Sequence, residues 1–240
     1  MSRLIFPDIF NGDVNSGRKP GQGFFSNGVK AFFTTKSIGM NVKKMSNFLS
    51  IKKEDIYFPI QQHTDKILVI KSDLKPEIAD AVITQRKGIL IGIQVADCVP
   101  VLLFDRRRSV IGAVHAGWRG TVSGIVKKTV TLMGEHFSSS PGDILVALGP
   151  SIRWGCYKVG IEVKDAIYKA TGEGKYFSQN DEGYYVDLSS ANRYQALSMG
   201  ISEENIWLSD ECTYCNPDEY YSYRYDKGLK GAQGGFIGIL

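Results

Sequence analysis

Ala96-Asp97-Cys98-Val99-Pro100-Val101-Leu102-Leu103-Phe104-Asp105-Arg106-Arg107-Arg108-Ser109-Val110-Ile111-Gly112-Ala113-Val114-His115-Ala116-Gly117-Trp118-Arg119-Gly120 decides how this chain folds. Val99 to Phe104 and Val110 to Val114 are strand-like apolar runs, and Asp105 to Ser109 between them reads as the charged tip of a hairpin. With Asp105 opposite Arg108, Cys98 falls directly opposite His115, where facing Cβ atoms lie roughly 4.5–5.5 Å apart. A slip of one residue would send the two side chains to opposite faces. Arg106-Arg107 lacks the Asn or Gly that two-residue turns favour, so a longer loop with a bulge is the competing geometry.

Working outward, a third partner is easy to name, because the chain has only three histidines and four cysteines. It is His63, in Ile60-Gln61-Gln62-His63-Thr64-Asp65-Lys66-Ile67. Two histidines and one thiolate make a three-ligand zinc site with a fourth position left for water, as in catalytic rather than structural zinc. A single copper(II) could take the same donors, since copper outranks zinc in intrinsic affinity. Each residue alone also has a plainer reading. Cys98 could be a small buried hydrophobe, and His63 an ordinary surface histidine. Asp97 stands either as a group for proton transfer, as support for a ligand from behind, or as a residue that only fixes its loop.

The segment after His115 carries further meaning. Ala116-Gly117-Trp118-Arg119-Gly120-Thr121 leads into an apolar stripe, Val122, Ile125, Val126, Thr129, Val130 and Met133, at helical spacing behind a Thr121 cap. Gly117 and Gly120 beside a helix N-terminus, with Arg119 as a cation, form a candidate phosphate site. The competing reading is that these glycines only permit a tight strand-to-helix turn.

Further strand-like runs occur at Ile67 to Ile70, Ala81 to Thr84, Ile89 to Val95 and Ile144 to Leu148. Weaker helical patterns lie at Val42 to Leu49, Gly160 to Ala170 and Ser189 to Met199, and the polar stretch from Thr171 to Gly183 reads as a surface excursion. Consecutive hairpin strands with separated helices argue for an α+β fold, in one domain over residues 1–240.

Composition bounds the partners. The net charge of +4 is mild, and Arg106 to Arg108 are a hairpin tip rather than a nucleic-acid footprint. No apolar run reaches the ~18–20 residues of a membrane span, and Met1-Ser-Arg-Leu-Ile-Phe-Pro-Asp8 lacks the apolar core of a signal peptide, which predicts a cytoplasmic address with no membrane partner. Cytosolic cysteines are read as thiols. Cys212-Thr-Tyr-Cys215 has no second pair to complete a zinc or redox motif and reads as a structural loop. Cys156 has no partner by sequence argument, and His136 reads as a surface residue.

Several strings together resemble one family. Ala-Asp-Cys-Val-Pro-Val-Leu-Leu-Phe-Asp (96–105), Ala-Val-His-Ala-Gly-Trp-Arg-Gly-Thr (113–121), Leu-Gly-Pro-Ser-Ile (148–152), Cys-Tyr-Lys-Val-Gly (156–160) and Cys-Thr-Tyr-Cys-Asn-Pro-Asp (212–218) are similar to the YfiH family. That family was long named for a laccase domain and is regarded as purine nucleoside enzymes. The resemblance runs from about Gln61 to the C-terminus. It implies a layered α/β/β/α fold with mixed sheets, zinc ligands at His63, Cys98 and His115, and purine nucleosides with phosphate as substrates. It also implies phosphorolysis of inosine, adenosine and methylthioadenosine, and deamination of adenosine. Three departures stand out. Thr64 replaces the family's glycine after the first histidine, Tyr225 stands where an arginine is customary in Ser222-Tyr223-Arg224-Tyr225-Asp226, and Gly231-Ala232 lacks the arginine of a Thr-Gly-Arg pattern.

Three other classes compete with this reading. A multicopper oxidase needs more histidines than three, although a single copper polyphenol oxidoreductase does not. A cysteine hydrolase would use Cys98 as nucleophile, His115 as base and Asp97 or another carboxylate as orienter, leaving His63 idle. A non-catalytic zinc module would want four protein ligands.

Overall fold

The computed structural model of the chain describes residues 3–10 and 28–240. The expected hairpin is its centre: β7 (Val99–Asp105) pairs antiparallel with β8 (Val110–Ala116). Their side chains are buried on both faces. Val101, Leu103, Val110 and Val114 join one core, whereas Leu102, Phe104, Ile111 and Ala113 join another. Burial on both sides explains why these strands are continuous apolar runs rather than alternating ones.

The register differs from the expected one by two residues. Asp105 pairs with Val110 and Pro100 with His115, so Cys98 lies one residue before β7 and does not face His115 directly. The cause is the tip. Asp105 Oδ1 accepts from the N–H groups of Arg107 (2.8 Å) and Arg108 (2.9 Å), and Ser109 takes a left-handed backbone at φ 54°, which makes a four-residue loop of Arg106 to Ser109. A shift of two keeps side chains on the same face, so Cys98 and His115 remain on one side.

Around this hairpin a six-stranded mixed sheet has the order β13-β9-β7-β8-β5-β4, with β4 (Ile67–Ile70), β5 (Ala81–Thr84), β9 (Ile144–Leu148) and β13 (Ile206–Leu208). One face packs on α3 (Ile125–Phe137), α4 (Ile161–Thr171) and α5 (Leu188–Ser198) through Val126, Val130, Ile167 and Ala191. The other packs on a five-stranded sheet of order β1-β2-β14-β6-β3, built from Leu4–Ile5, Val29–Thr34, Gln233–Ile239, Leu90–Val95 and Ile56–Tyr57. The outer side of that sheet is covered by α1 (Val42–Leu49), whose Met45 and Leu49 meet Phe32 and Phe236. The layers therefore run α/β/β/α. Each fully buried aliphatic side chain between them contributes roughly 1.5–3 kcal/mol.

Two local expectations are corrected. Thr121 is not a helix cap: it lies inside the short helix α2 (Trp118–Val122), where its hydroxyl donates to Gly117 O (3.0 Å). Gly124, at φ 68°, then breaks the apolar stripe and starts α3 afresh. The polar stretch Thr171 to Gly183 is not merely an excursion, for it supplies β11 (Phe177–Asn180). That strand pairs with β12 (Gly183–Val186) beside β10 (Lys158–Val159) in a three-stranded antiparallel sheet. Among the described residues no helix is long and apolar enough to cross a membrane.

Candidate metal centre

Where β6 ends and β7 begins, the chain turns through Ala96-Asp97-Cys98 beside the end of β8, and the loop carrying His63 closes over both. His63, Cys98 and His115 converge there, with their ligand atoms all within 4.8 Å of one another. Cys98 Sγ lies 4.0 Å from His63 Nε2, and the two imidazoles meet edge to face at 4.7 Å. Burial is graded, from exposed His63 through half-buried Cys98 to buried His115. Gly117 belongs to this packing. A Cβ there would stand 2.9 Å from Cys98 Sγ and 3.3 Å from His63 Cδ2, so only glycine lets the strand-to-helix turn pass behind the donors.

Asp80, immediately before β5, organises the cluster and was not singled out in the sequence. Its buried carboxylate takes His115 Nδ1 at 2.8 Å, the N–H groups of Gln62, His63 and Thr64, and the Thr64 hydroxyl at 2.7 Å. Burial opposes its ionisation, but the hydrogen bonds from His115 and Thr64 outweigh this and hold the carboxyl well below the usual range. With Nδ1 committed to Asp80, His115 has only Nε2 for a metal, the arrangement in which a carboxylate orients a ligating histidine. The same carboxylate secures His63, whose backbone is left-handed at φ 56°, a conformation costing about 1–2 kcal/mol. Thr64, at the position where the resemblance implies glycine, adds a hydroxyl hydrogen bond to Asp80. The signal that could have exposed Asp80 is a lone carboxylate, Ala79-Asp80-Ala81, at the mouth of the strand-like run Ala81 to Thr84.

Electrostatics couple the donors. Burial works against ionising Cys98, yet the His115 charge and hydrogen bonds from both imidazoles hold the thiol down at about 6. His115 is opposed by burial and raised to about 9 by the Cys98 charge and by Asp80. Each of the two thus favours the charged form of the other. A divalent cation fits this donor set: one thiolate and two imidazoles, one of them aimed by a carboxylate.

The cluster floors a cleft of about 570 Å³, whose walls include Trp118, Arg119, Tyr157 and Arg224. Arg119 lies over the Trp118 ring at 4.4 Å, and Arg224 over Tyr157 at 5.0 Å. Burial, then the nearby Cys98 charge, push the Tyr157 hydroxyl up to about 12, so it stays a donor. Asp97 also borders the cleft. Its carboxylate accepts from the Thr213 hydroxyl (2.7 Å) and the Arg224 N–H (2.7 Å), and its backbone is left-handed at φ 88°. Both oxygens therefore tie the Cys98 loop to the C-terminal segment. Gly120, inside α2, does not line the cleft: a Cβ there would meet Ile125 Cγ2 at 3.3 Å and His115 O at 3.4 Å, so the helix packs closely there against α3 and the end of β8. Exposed His136 ends α3 away from the site. No spacing rule in the sequence brings Tyr157 and Arg224 to one wall; tertiary packing does.

The family model described as multi-copper polyphenol oxidoreductase laccase matches residues 29–240. A purine nucleoside phosphorylase of Aquifex aeolicus is 37% identical over 206 residues, covering 85% of this chain and 91% of that protein. Adenosine deaminase RL5, from an unknown prokaryotic organism, is 33% identical over 194 residues, covering 73% and 72%. The crystal structure of the Bacillus licheniformis hypothetical protein YfiH superposes with a TM-score of 0.83 at 30% identity, covering 88% of this chain and 93% of that one. With the motifs, the layered fold and the length of these matches in agreement, the chain belongs to the YfiH family, the laccase-like polyphenol oxidoreductase family of that model.

Proposed function

We propose that this chain is a zinc-dependent purine nucleoside enzyme that cleaves inosine, adenosine and methylthioadenosine with phosphate and deaminates adenosine. The observation that carries this reading is the convergence of His63, Cys98 and His115 on the floor of a cleft whose walls offer aromatic faces and two guanidinium groups. Relatives named purine nucleoside phosphorylase and adenosine deaminase support the substrate class. Zinc held by the three residues would supply Lewis acidity and lower the pKa of water toward ~7.

The chain's own residues account for the rest. Trp118 and Tyr157 supply aromatic wall for a purine ring, and Arg119 and Arg224, which lie over those rings, would supply charge-assisted bonds to an inorganic phosphate. In phosphorolysis a phosphate oxygen attacks C1′, the C1′–N9 bond breaks, and the purine leaves with the bonding pair and takes up a proton. Tyr157, its hydroxyl protonated, would donate a hydrogen bond to the leaving base. Asp97, with both oxygens engaged, is a positioning residue that holds Arg224 and the Cys98 loop. Gly117 serves by leaving room for the donors. The α2 N-terminus is one short helix, so the phosphate is assigned to the arginines.

A second reading is favoured by one observation, the Cys98–His115–Asp80 line with a depressed thiol, which is also the order of a cysteine hydrolase triad. Its orienter would be Asp80 and not Asp97. Chromatography of inosine and adenosine incubated with and without phosphate separates the claims. The proposal expects hypoxanthine release that depends on phosphate, and inosine from adenosine. Base release indifferent to phosphate would overturn the phosphorolytic half, and adenosine left without inosine would overturn deamination.

A further inference from the structure

Three of the four cysteines have no part in the site above, and the fold gathers all three. Cys156 closes a tight turn after Gly155 (φ 84°), its N–H bonded to Arg153 O at 3.1 Å. Cys212 and Cys215 share a second turn, in which Asn216 donates from its backbone (3.2 Å) and from Nδ2 (2.9 Å) to Cys212 O. A backbone bridge between Ser151 and Cys212 and a bond from Thr213 N–H to Ser151 O (3.0 Å) lock the two turns together. The three sulfurs lie within 4.8 Å of one another, with Cys156 Sγ and Cys215 Sγ 3.1 Å apart.

We propose that Cys156, Cys212 and Cys215 form a second metal site, for a thiophilic d10 cation, zinc(II) or copper(I), bound by three thiolates. Soft thiolate donors select these cations. Metal–sulfur bonds of about 2.3 Å place sulfurs roughly 3.8 Å apart in a tetrahedral shell, a spacing the trio reaches by small side-chain rotations. The N–H of Arg153 already points at Cys212 Sγ from 3.4 Å, the kind of hydrogen bond that steadies a ligating thiolate. Access is graded as well: Cys212 is buried, Cys156 half-buried and Cys215 exposed, so a cation enters from the Cys215 side and a fourth position faces water.

The site has a consequence for the cleft. Thr213, between the two cysteines of the second turn, donates to Asp97 Oδ1 at 2.7 Å, and Asp97 precedes Cys98. Cys156 likewise precedes Tyr157 in the cleft wall. The cation would clamp the two turns that hold this wall.

The test uses reduced Cys98→Ala protein, in which every remaining thiol belongs to the trio. Titration with cobalt(II), as a spectroscopic stand-in for zinc, and separately with copper(I) should give a thiolate-to-metal charge-transfer band in the near ultraviolet that saturates at one cation per chain. Adding Cys215→Ser or Cys156→Ser should remove most of it. Because Cys98→Ala could fold poorly, zinc bound to Cys215→Ser in an otherwise native chain is the second readout, expected to fall by one equivalent while the thiol at Cys98 stays protected. No band with either cation in folded Cys98→Ala, neither zinc nor copper(I) content altered by Cys215→Ser, or three thiols that react freely with a thiol reagent in the presence of either cation would each overturn the proposal.

Discussion

Asp80 Oδ1 stands 2.8 Å from His115 Nδ1, and the same buried carboxylate receives the backbone N–H of His63 at 3.0 Å. One side chain thus sets the ring orientation of one donor and the loop conformation of another. Replacement by asparagine keeps the size but removes the charge and exchanges an accepting oxygen for an NH2 group. Asp80→Asn should weaken zinc about 10–100-fold, measured by competition with a chromogenic chelator, with secondary structure retained. Unchanged affinity would mean that Asp80 only braces the loop.

Gly117 predicts a steric effect confined to the site. Gly117→Ala puts a methyl group 2.9 Å from Cys98 Sγ, under the closest contact real Cβ atoms make, so the thiol must move. Zinc content and nucleoside turnover should both drop at least tenfold, about 1.4 kcal/mol or more. Gly142→Ala, whose new methyl group meets nothing within 4 Å, is the control and should leave both unchanged. Equal behaviour of the two variants would contradict the packing account.

The electrostatic coupling predicts a pH profile in the metal-free protein. Cys98 is held down at about 6 against its ordinary value of 9.0, and the thiolate is the reactive form. Alkylation of Cys98 after chelation should therefore rise as pH climbs through about 6 and level off by neutrality. A midpoint near the ordinary thiol value would show that His115 and His63 do not stabilise the thiolate.

Ala232 borders the cleft at the position where the resembled pattern carries an arginine. Ala232→Arg adds a third guanidinium to the wall, and a charge-assisted bond to phosphate contributes roughly 1.5 kcal/mol. The KM for phosphate should fall about tenfold, with the gain diminishing as salt rises. No change in that KM would remove the cleft mouth from the phosphate path.

Much of this site was legible because short-range chemistry determines it. Strands at Ile67–Ile70, Ala81–Thr84 and Ile144–Leu148 have the limits their apolar runs suggest. The hairpin register missed by two because Asp105 caps the tip through two backbone N–H groups, a side-chain effect that the Arg106-Arg107 pair conceals. Strand β14, Gln233–Ile239, holds three glycines, and no continuous apolar run marks it in the sequence. It lies between β2 and β6, where a Cβ at Gly234 would meet Ile93 O at 2.5 Å and one at Gly238 would meet Ile89 O at 2.7 Å. Asp80 and the union of Cys156 with Cys215, 59 residues apart, depend on tertiary pairing that no local period encodes.

Whether Cys98 ligates a metal together with His63 and His115 is read out by iodoacetamide labelling of Cys98, followed by peptide mass spectrometry alongside nucleoside turnover. A thiolate held by zinc is shielded from alkylation, whereas a catalytic nucleophile is exposed to it. The account predicts that the zinc-loaded protein resists labelling at Cys98. Chelation should expose the thiol and abolish turnover together, and zinc should restore turnover only to unlabelled chains. Turnover that survives chelation but is lost in step with Cys98 labelling would contradict it and assign the chemistry to the thiol.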